Sequence, residues 1–320
     1  MLRFLKTLYT PIRVIGFCLY LATYSCTAQA ISANDSKTTP PEISSPSAGI
    51  KIPTISKPID GFNALPLAKP SPTISSNIIS DPDSQPACTQ KKGKIESSRL
   101  NSPLLFMPMT VRIYTPPCYE QEQNRRYPVL YLLHGQGFTD EQWDRIGANE
   151  AADELISGDK IVPFIIVMPF DQSLTNPQDS TFGDAFIQTL LPWVDKTYRT
   201  LPDRAHRAIG GLSRGGAWAV HLGFSASETF GAIGVHSGFF FAGDKDKIYQ
   251  WLQKTPLNSL PRIRLDIGAR DDLRPYNNDL EKMLVSLQIP HEWYLYPGRH
   301  EESYWQKHLE EYLRWYTALW

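Results

Sequence analysis

Gly211-Leu212-Ser213-Arg214-Gly215 fits the pattern Gly-x-Ser-x-Gly, and the segments on either side of it decide how the chain folds. The apolar run Arg207–Gly210 before it predicts a strand, and Arg214–Phe224 after it predicts a helix. A tight strand-to-helix turn needs glycine at both ends, because larger side chains would collide with the strand or the helix. The turn exposes Ser213 above the sheet as a predicted nucleophile. The alternative is a glycine-rich turn with an idle serine.

Strand and helix patterns alternate along the chain on both sides of this motif. The predicted strands are Leu104–Tyr114, Pro128–Leu133, Ile161–Met168, Arg207–Gly210, Phe230–Val235, Ile263–Ile267 and Trp293–Tyr296. The predicted helices are Asn149–Ser157, Phe182–Tyr198, Arg214–Phe224, Asn277–Leu287 and Glu302–Leu319. This order predicts an α/β fold with a mostly parallel central sheet and helices on both faces. Such sheets bind ligands at the carboxyl ends of their strands.

A serine hydroxyl needs a general base, which on this fold comes late in the chain after an acid. His300 follows the last predicted strand and precedes the last helix, whereas the other six histidines are better explained by packing or by the surface. The acid should follow the strand Ile263–Ile267, where Asp271 and Asp272 are adjacent. Either could orient the imidazole of His300, and spacing alone leaves the choice open.

Stabilisation of an oxyanion requires two backbone donors. The residue after the nucleophile, Arg214, supplies one N–H, and a loop after an early strand supplies the other. Leu133-His134-Gly135-Gln136-Gly137 fits that loop, so we expect the second donor to be the Gln136 amide. The alternative is a glycine turn that only reverses the chain.

Five stretches, in this order, resemble the putative-esterase family of α/β hydrolases. They are VRIYTPPCY, YPVLYLLHGQG, AHRAIGGLSRGGAWAV, IGARDD and YPGRHEESYW, between Val111 and Trp305. The family includes enterochelin esterases, feruloyl and acetyl-xylan esterase domains, S-formylglutathione hydrolases and mycolyltransferases. The resemblance implies the α/β-hydrolase fold and favours Asp271, because the family's acid follows a Gly-x-x motif. It also aligns His300 and Trp305 with family positions. Cys118 departs from the family, in which many members have glycine in this segment.

The expected function is therefore hydrolysis of carboxylic esters through Ser213, His300 and Asp271, with an acyl-enzyme intermediate. The substrate would be a small ester, such as a plant-wall feruloyl or acetyl ester or a siderophore ester. One alternative is an acyltransferase with the same triad, similar to the mycolyltransferases, and another is a binding module on a hydrolase scaffold. Trp143 and Phe239–Phe241 could line a substrate pocket, although packing in the core or in a cap is the more common role of such residues.

The composition points to an enzyme that uses neither a metal nor another cofactor. The 320 residues include 32 basic and 33 acidic side chains, and a net charge of -1 gives no reason to expect a nucleic acid partner. The four cysteines form no Cys-x-x-Cys pair, and no His-Glu-x-x-His motif occurs, so neither a zinc site nor a redox centre is expected. The oligomeric state does not follow from the sequence.

The first 87 residues read as targeting and linker segments. Basic residues, the apolar run Val14–Leu21 and Ala28-Gln29-Ala30 predict a signal peptide over residues 1–30 and export. Lipid anchoring through Cys26 is a second possibility, less favoured because Thr23-Tyr24-Ser25 matches that signal poorly. Residues 31–87 are rich in serine and proline and predict a flexible tether before a single catalytic domain at 88–320.

Export changes what is expected of the two remaining cysteines. Cys88 and Cys118 are the only cysteines after residue 30, and an oxidising compartment allows them to form a disulfide. The alternative is two unpaired buried thiols.

Overall fold

The structure, a computed structural model, describes residues 88–173 and 175–320. The predicted signal peptide and tether, residues 1–87, lie outside this part, and their interpretation stays a prediction.

An eight-stranded sheet forms the centre of the described region. The strands are β1 Lys94–Leu100, β2 Met109–Thr115, β3 Val129–Leu133, β4 Ile165–Pro169, β5 Arg207–Leu212, β6 Ala232–His236, β7 Arg262–Gly268 and β8 Glu292–Tyr296. Their spatial order is β1-β2-β4-β3-β5-β6-β7-β8. The pairs β1–β2 and β2–β4 are antiparallel, and every pair from β4 to β8 is parallel. The carboxyl ends of β3 to β8 therefore share one edge of the sheet, which we call the active edge.

Helices cover both faces of the sheet. They are α1 Gln142–Arg145, α2 Ala148–Ser157, α3 Phe182–Ala185, α4 Leu191–Thr197, α5 Arg214–Ser225, α6 Lys245–Lys254, α7 Arg274–Ser286, α8 Glu302–Lys307 and α9 Leu309–Thr317. A π-helical turn, Phe186–Leu190, joins α3 to α4.

Side chains along β3 alternate between two cores, one on each face of the sheet. Val129, Tyr131 and Leu133 pack in the core covered by α3 to α7, whereas Leu130 and Leu132 pack in the core covered by α2, α8 and α9. All five residues of this strand are buried, as expected for a central strand of a parallel sheet covered on both faces. The fold is thus the α/β-hydrolase arrangement expected from the sequence.

Several predicted boundaries were displaced, and proline accounts for two of them. The sequence predicts a strand over Leu104–Tyr114, but β2 begins only at Met109, after Pro108. The strand predicted from Ile161 begins at Ile165, after Pro163. Proline cannot donate to a strand ladder, which restricts it to strand starts and edges.

A disulfide joins Cys88 to Cys118, with the two Cα atoms 5.8 Å apart. Cys118 follows the end of β2, and β2 runs antiparallel to β4. The bridge therefore lies at the edge of the sheet opposite the active edge.

Within residues 88–173 and 175–320, no helix combines the length and apolar character needed to cross a membrane.

Candidate active site

Ser213 occupies the turn between β5 and α5 in a backbone conformation that is rare for serine. Its φ is 55° and its ψ is -119°, and its N–H donates to the carbonyl of His236 at 2.9 Å. A Cβ at Gly215 would overlap the carbonyl oxygen of Leu133, and one at Gly211 would overlap the backbone of Gly215. The two glycines thus allow strand and helix to approach closely enough to hold Ser213 in this strained turn.

His300 lies between Ser213 and Asp271, within hydrogen-bonding distance of both. Its Nε2 is 2.9 Å from Ser213 Oγ, and its Nδ1 is 3.0 and 3.1 Å from the two Asp271 carboxylate oxygens. An ionised carboxylate only accepts hydrogen bonds, so Nδ1 carries the hydrogen and Nε2 is free to accept from the serine hydroxyl. This arrangement allows the imidazole to remove a proton from Ser213.

The choice between the two adjacent aspartates, which spacing alone left open, has a clear geometric outcome. The Asp271 side chain is fully buried, and its Oδ1 also accepts from the Leu273 N–H at 2.8 Å. Asp272 is exposed and lines a polar groove beside α7. The structure places Asp271 beside His300.

Trp305 packs edge-on against His300, with ring centroids 5.0 Å apart. Its indole N–H donates to Ser237 Oγ at 3.2 Å, which fixes the ring in the core under the histidine loop. Because the ring is 3% exposed, it excludes water from one side of the imidazole.

Gln136 and Arg214 belong to two different segments that both lie near Ser213. Gln136 lines the same cavity as Ser213 and His300, and Arg214 is the first residue of α5. In the described part of the chain, no acceptor bonds the backbone N–H of either residue. Two unpaired donors beside a nucleophile, one of them at a helix N-terminus, suit a developing negative charge.

The side chain of Arg214 points away from the nucleophile and holds the loop after β4. Its Nε donates to Asp171 Oδ2 at 3.0 Å, and its guanidinium also donates to the carbonyls of Ser173 and Thr175. Trp218 Nε1 donates to the same Asp171 oxygen at 2.7 Å. The side chain of Arg214 and Trp218 thus both bond Asp171 in this loop.

His134 supports the loop that carries Gln136. Its Nε2 accepts from the Asp171 N–H at 2.9 Å, which leaves Nδ1 to donate to the Gly135 carbonyl at 2.8 Å. Burial lowers the pKa of His134, which favours this neutral tautomer.

A second group of residues at the site, formed by Gln142, Arg145 and Glu302, was not predicted from the sequence. Gln142 is buried and contacts both Gly135 and Glu302, and Glu302 accepts two hydrogen bonds from Arg145. The hydrogen bonds from Arg145 hold the pKa of Glu302 below its usual range. No local pattern connects residues about 160 positions apart.

The cavity at the active edge has a volume of about 370 Å³. Its walls include Ser213, His300, Phe138 and Trp305, so polar reacting groups stand beside apolar surface. This combination is typical of sites for small organic ligands.

The aromatic residues considered for a pocket divide between core and partly buried positions. Trp143 is 1% exposed, belongs to the core covered by α2, α8 and α9, and donates from its indole to the Leu133 carbonyl. Phe241 belongs to the core on the opposite face of the sheet, and Phe239 and Phe240 are partly buried and pack against that second core. None of the four lines the cavity at Ser213.

In the chain from 88 onward, Leu174 aside, no cluster of three or more histidine, cysteine or acidic side chains could hold a metal ion.

Comparison with known proteins gives consistent matches. The family described as Putative esterase matches residues 102–316. The chain is 37% identical over 144 residues to an endo-1,4-beta-xylanase/feruloyl esterase of Xylanibacter ruminicola, a match that covers 40% of this chain and 19% of that protein. It is 22% identical over 285 residues to the iron(III) salmochelin esterase of Escherichia coli, covering 81% of this chain and 67% of that protein. A solved ferulic acid esterase superposes with a TM-score of 0.64 at 25% identity, covering 71% of this chain and 98% of that one.

The chain spans between 11% and 28% of the length of the first four curated relatives it matches.

Proposed function

The chain belongs to the putative-esterase family, and from this premise we propose that it is a serine esterase that hydrolyses carboxylic esters through an acyl-enzyme. The observation that carries the proposal is the alignment of Ser213, His300 and Asp271 at hydrogen-bonding distances in one cavity. A partly buried serine that lines a cavity, a base and a buried acid in this order are the groups that acyl transfer requires.

In the first half of the reaction, His300 Nε2 takes the proton of Ser213 as Oγ attacks the ester carbonyl carbon. The carbonyl oxygen becomes an oxyanion that accepts from the N–H groups of Gln136 and Arg214. His300 then gives its proton to the leaving oxygen, the carbon–oxygen bond breaks and the alcohol departs. Asp271 stays ionised and stabilises the imidazolium.

In the second half, water replaces the alcohol. His300 takes a proton from this water as it attacks the acyl carbon of the Ser213 ester, and a second oxyanion forms at the same two donors. When that intermediate collapses, His300 returns the proton to Ser213 Oγ and the carboxylic acid is released. The cycle thus uses one water molecule, three side chains and two backbone N–H groups.

We further propose a small ester of an aromatic acid as the substrate class. The support is the likeness to proteins named feruloyl esterase and ferulic acid esterase, together with a cavity whose walls include Phe138 and Trp305. Aromatic side chains favour planar aromatic ligands through edge and stacking contacts.

We also propose that the chain is exported. The support is the signal-like order of residues 1–30 and the Cys88–Cys118 disulfide, because disulfides persist mainly in oxidising compartments.

Hydrolysis of methyl ferulate, p-nitrophenyl acetate and p-nitrophenyl butyrate would test the proposed activity. Ser213→Ala should abolish turnover, whereas Ser225→Ala, which changes an exposed serine at the far end of α5, should leave it unchanged. A fluorophosphonate should label the wild-type protein on the peptide containing Ser213, as located by mass spectrometry. Equal rates in the wild type and in Ser213→Ala would overturn the proposal. Hydrolysis of acetate without any ferulate hydrolysis would overturn the substrate class alone.

A further inference from the structure

The side chain of Gln142, in α1, connects the loop after β3 to the first residue of α8, and residues of all three line the cavity. Its Oε1 accepts from the Gly135 N–H at 2.7 Å, and its Nε2 donates to Glu302 Oε1 at 2.9 Å. Gly135 belongs to the loop that carries Gln136, and Glu302 is two residues beyond His300. Because an N–H only donates and a carboxylate only accepts, these partners fix the orientation of the amide.

Glycine at position 135 makes such a contact important. A glycine backbone is free to rotate, so its conformation depends on what its N–H and its carbonyl bond. The Gly135 carbonyl accepts from His134 Nδ1 at 2.8 Å and from the Phe138 N–H at 3.2 Å. The peptide after Gly135 is planar and trans, so its carbonyl and the Gln136 N–H point in opposite directions. Gln142 fixes the peptide before Gly135, and together these bonds determine where the Gln136 N–H points.

At the other end of the connection, Arg145 binds Glu302. The two guanidinium nitrogens of Arg145 each donate to one oxygen of Glu302 at 2.6 Å. A bidentate arginine–carboxylate pair has a defined geometry as well as charge complementarity. The Arg145 guanidinium also lies 5.4 Å from the centre of the Phe138 ring, in the loop after Gly135.

We propose that Gln142 is a positioning residue for ester hydrolysis: it sets the Gln136 N–H at a fixed position relative to His300 by bridging the Gly135 N–H to Glu302. The inference rests on the proposed esterase function. An amide suits this place, since it accepts from an N–H and donates to a carboxylate at the same time. A displaced Gln136 N–H would weaken oxyanion binding, which stabilises the transition state more than the bound ester.

Gln142→Met removes both hydrogen bonds while keeping a side chain of similar length. We expect kcat to fall by about 30-fold and KM to change by less than about 2-fold, because a shift of a transition-state donor costs mainly kcat. Pre-steady-state acylation should slow by a similar factor. A kcat within about 2-fold of the wild type, or a loss confined to KM, would overturn the proposal.

Tyr114→Phe provides the matched control for a lost buried hydrogen bond. The Tyr114 hydroxyl donates to Asp153 Oδ1 at 2.7 Å, and its ring packs in the core covered by α2, α8 and α9, as does the side chain of Trp143 next to Gln142. Thermal unfolding of both variants shows their loss of stability. We expect Tyr114→Phe to unfold at a lower temperature than the wild type but to keep the wild-type kcat. A similar drop of kcat in both variants would mean that Gln142 acts only through stability.

Exchanging the amide and the carboxylate provides a sharper test. Gln142→Glu alone places two carboxylates together, so we expect a loss of kcat similar to that of Gln142→Met. Adding Glu302→Gln restores one donor and one carboxylate at the bridge, with the carboxylate at position 142 accepting from the Gly135 N–H. Arg145 donates to the same Glu302 oxygen that would become the N–H donor, so Arg145→Met is included in both variants of this comparison. We expect the variant with Gln142→Glu, Glu302→Gln and Arg145→Met to recover at least about 5-fold in kcat over the variant with Gln142→Glu and Arg145→Met, a coupling of the size seen for residues in contact. No recovery would count against the bridge.

The two proposals fail in different ways. If the wild type neither hydrolyses esters nor reacts with a fluorophosphonate, the proposed function is wrong. If the wild type is active and Gln142→Met matches it, only the positioning role is wrong.

Discussion

Asp271 and Asp272 have the same chemistry, and their surroundings alone separate them. Asp271 is buried against His300 and accepts one backbone N–H, whereas Asp272 is exposed. A buried carboxylate beside Nδ1 keeps the imidazole in the tautomer that can receive a proton from Ser213. An exposed carboxylate is screened by water and cannot do this.

Asp271→Asn should therefore lower kcat by about 10⁴-fold, because the amide favours the wrong histidine tautomer. Asp272→Asn should leave kcat unchanged. Steady-state hydrolysis of p-nitrophenyl butyrate by both variants checks this prediction. A large loss in Asp272→Asn instead would show that the acid had been assigned to the wrong residue.

Among the site residues, the sequence alone predicts those that stand in local patterns. Ser213 stands in a pattern that the turn itself requires, and His300 follows the last strand. Adjacent aspartates differ by only one position, so spacing left both open and only the family resemblance favoured Asp271. Gln142 and Glu302 escaped prediction because their contact depends on how α1 and α8, which are distant in the sequence, meet in the folded chain.

The close contact among β3, β5 and α5 depends on glycine at positions 211 and 215. The first turn of α5 crosses the end of β3 so closely that a Cβ at Gly215 would overlap the Leu133 carbonyl oxygen. The helix cannot move away without displacing Ser213.

Gly215→Ala should lower the free energy of unfolding by about 3 kcal/mol, the upper part of the usual range for overpacking. Ala217→Gly in the same helix removes a methyl group instead and should cost about 1 kcal/mol through helix propensity. Urea denaturation of both variants measures the difference. Wild-type stability in Gly215→Ala would mean that the helix has room to shift.

Among the elements, those with strong apolar patterns were predicted and those without were missed. Strand β1, Lys94–Leu100, is an edge strand in which only Leu100 is buried, so it has no continuous apolar run. Helix α6 lies in a stretch with only two buried residues, Ile248 and Leu252. The last predicted helix, Glu302–Leu319, divides at His308 into α8 and α9. The apolar pattern of α8 continues into α9 across this break, so the sequence alone predicts one helix.

Across the whole molecule, buried and paired titratable groups link stability to pH. Burial lowers the pKa of His134 below its usual value of 6.5, and the hydrogen bonds from Arg145 lower the pKa of Glu302 below 4.5. Burial alone would raise the pKa of Asp266, but His236, Tyr304 and Tyr312 together hold it below 3.8. Burial, by contrast, raises the pKa of Asp140.

When the folded pKa lies below the unfolded one, the unfolded chain binds protons first as the pH falls. The contribution of His134 is therefore complete above pH 6.5 and declines below it, and those of Glu302 and Asp266 decline below about pH 4.5 and 4. We expect the free energy of unfolding to decrease from pH 7 to pH 5 and again from pH 5 to pH 3. Urea denaturation at these pH values checks the trend, and equal stability at pH 7 and pH 5 would contradict the first step.

The Cys88–Cys118 bridge closes a long segment of chain at the edge opposite Ser213. For two cysteines 30 positions apart, the chain-entropy model gives a stabilisation of about 3.5 kcal/mol. Replacing both cysteines by serine should lower the melting temperature while leaving kcat at 25 °C unchanged, because the bridge is remote from the cavity. Calorimetry and esterase assays together test this. A matching loss of kcat would contradict this prediction and would show that removing the bridge alters the geometry at the active edge.

The same bridge determines what a cut in the chain would do. Phe106 is fully exposed and Met107 is about half exposed, between β1 and β2, so a protease that cleaves after aromatic residues can reach this peptide bond. One cysteine lies on each side of the cut, so the disulfide keeps the two pieces joined, and β1 also remains paired with β2. The nicked protein should migrate as one band without reductant and as two with it. Hydrolysis of this bond would therefore change the number of chain ends without releasing a fragment.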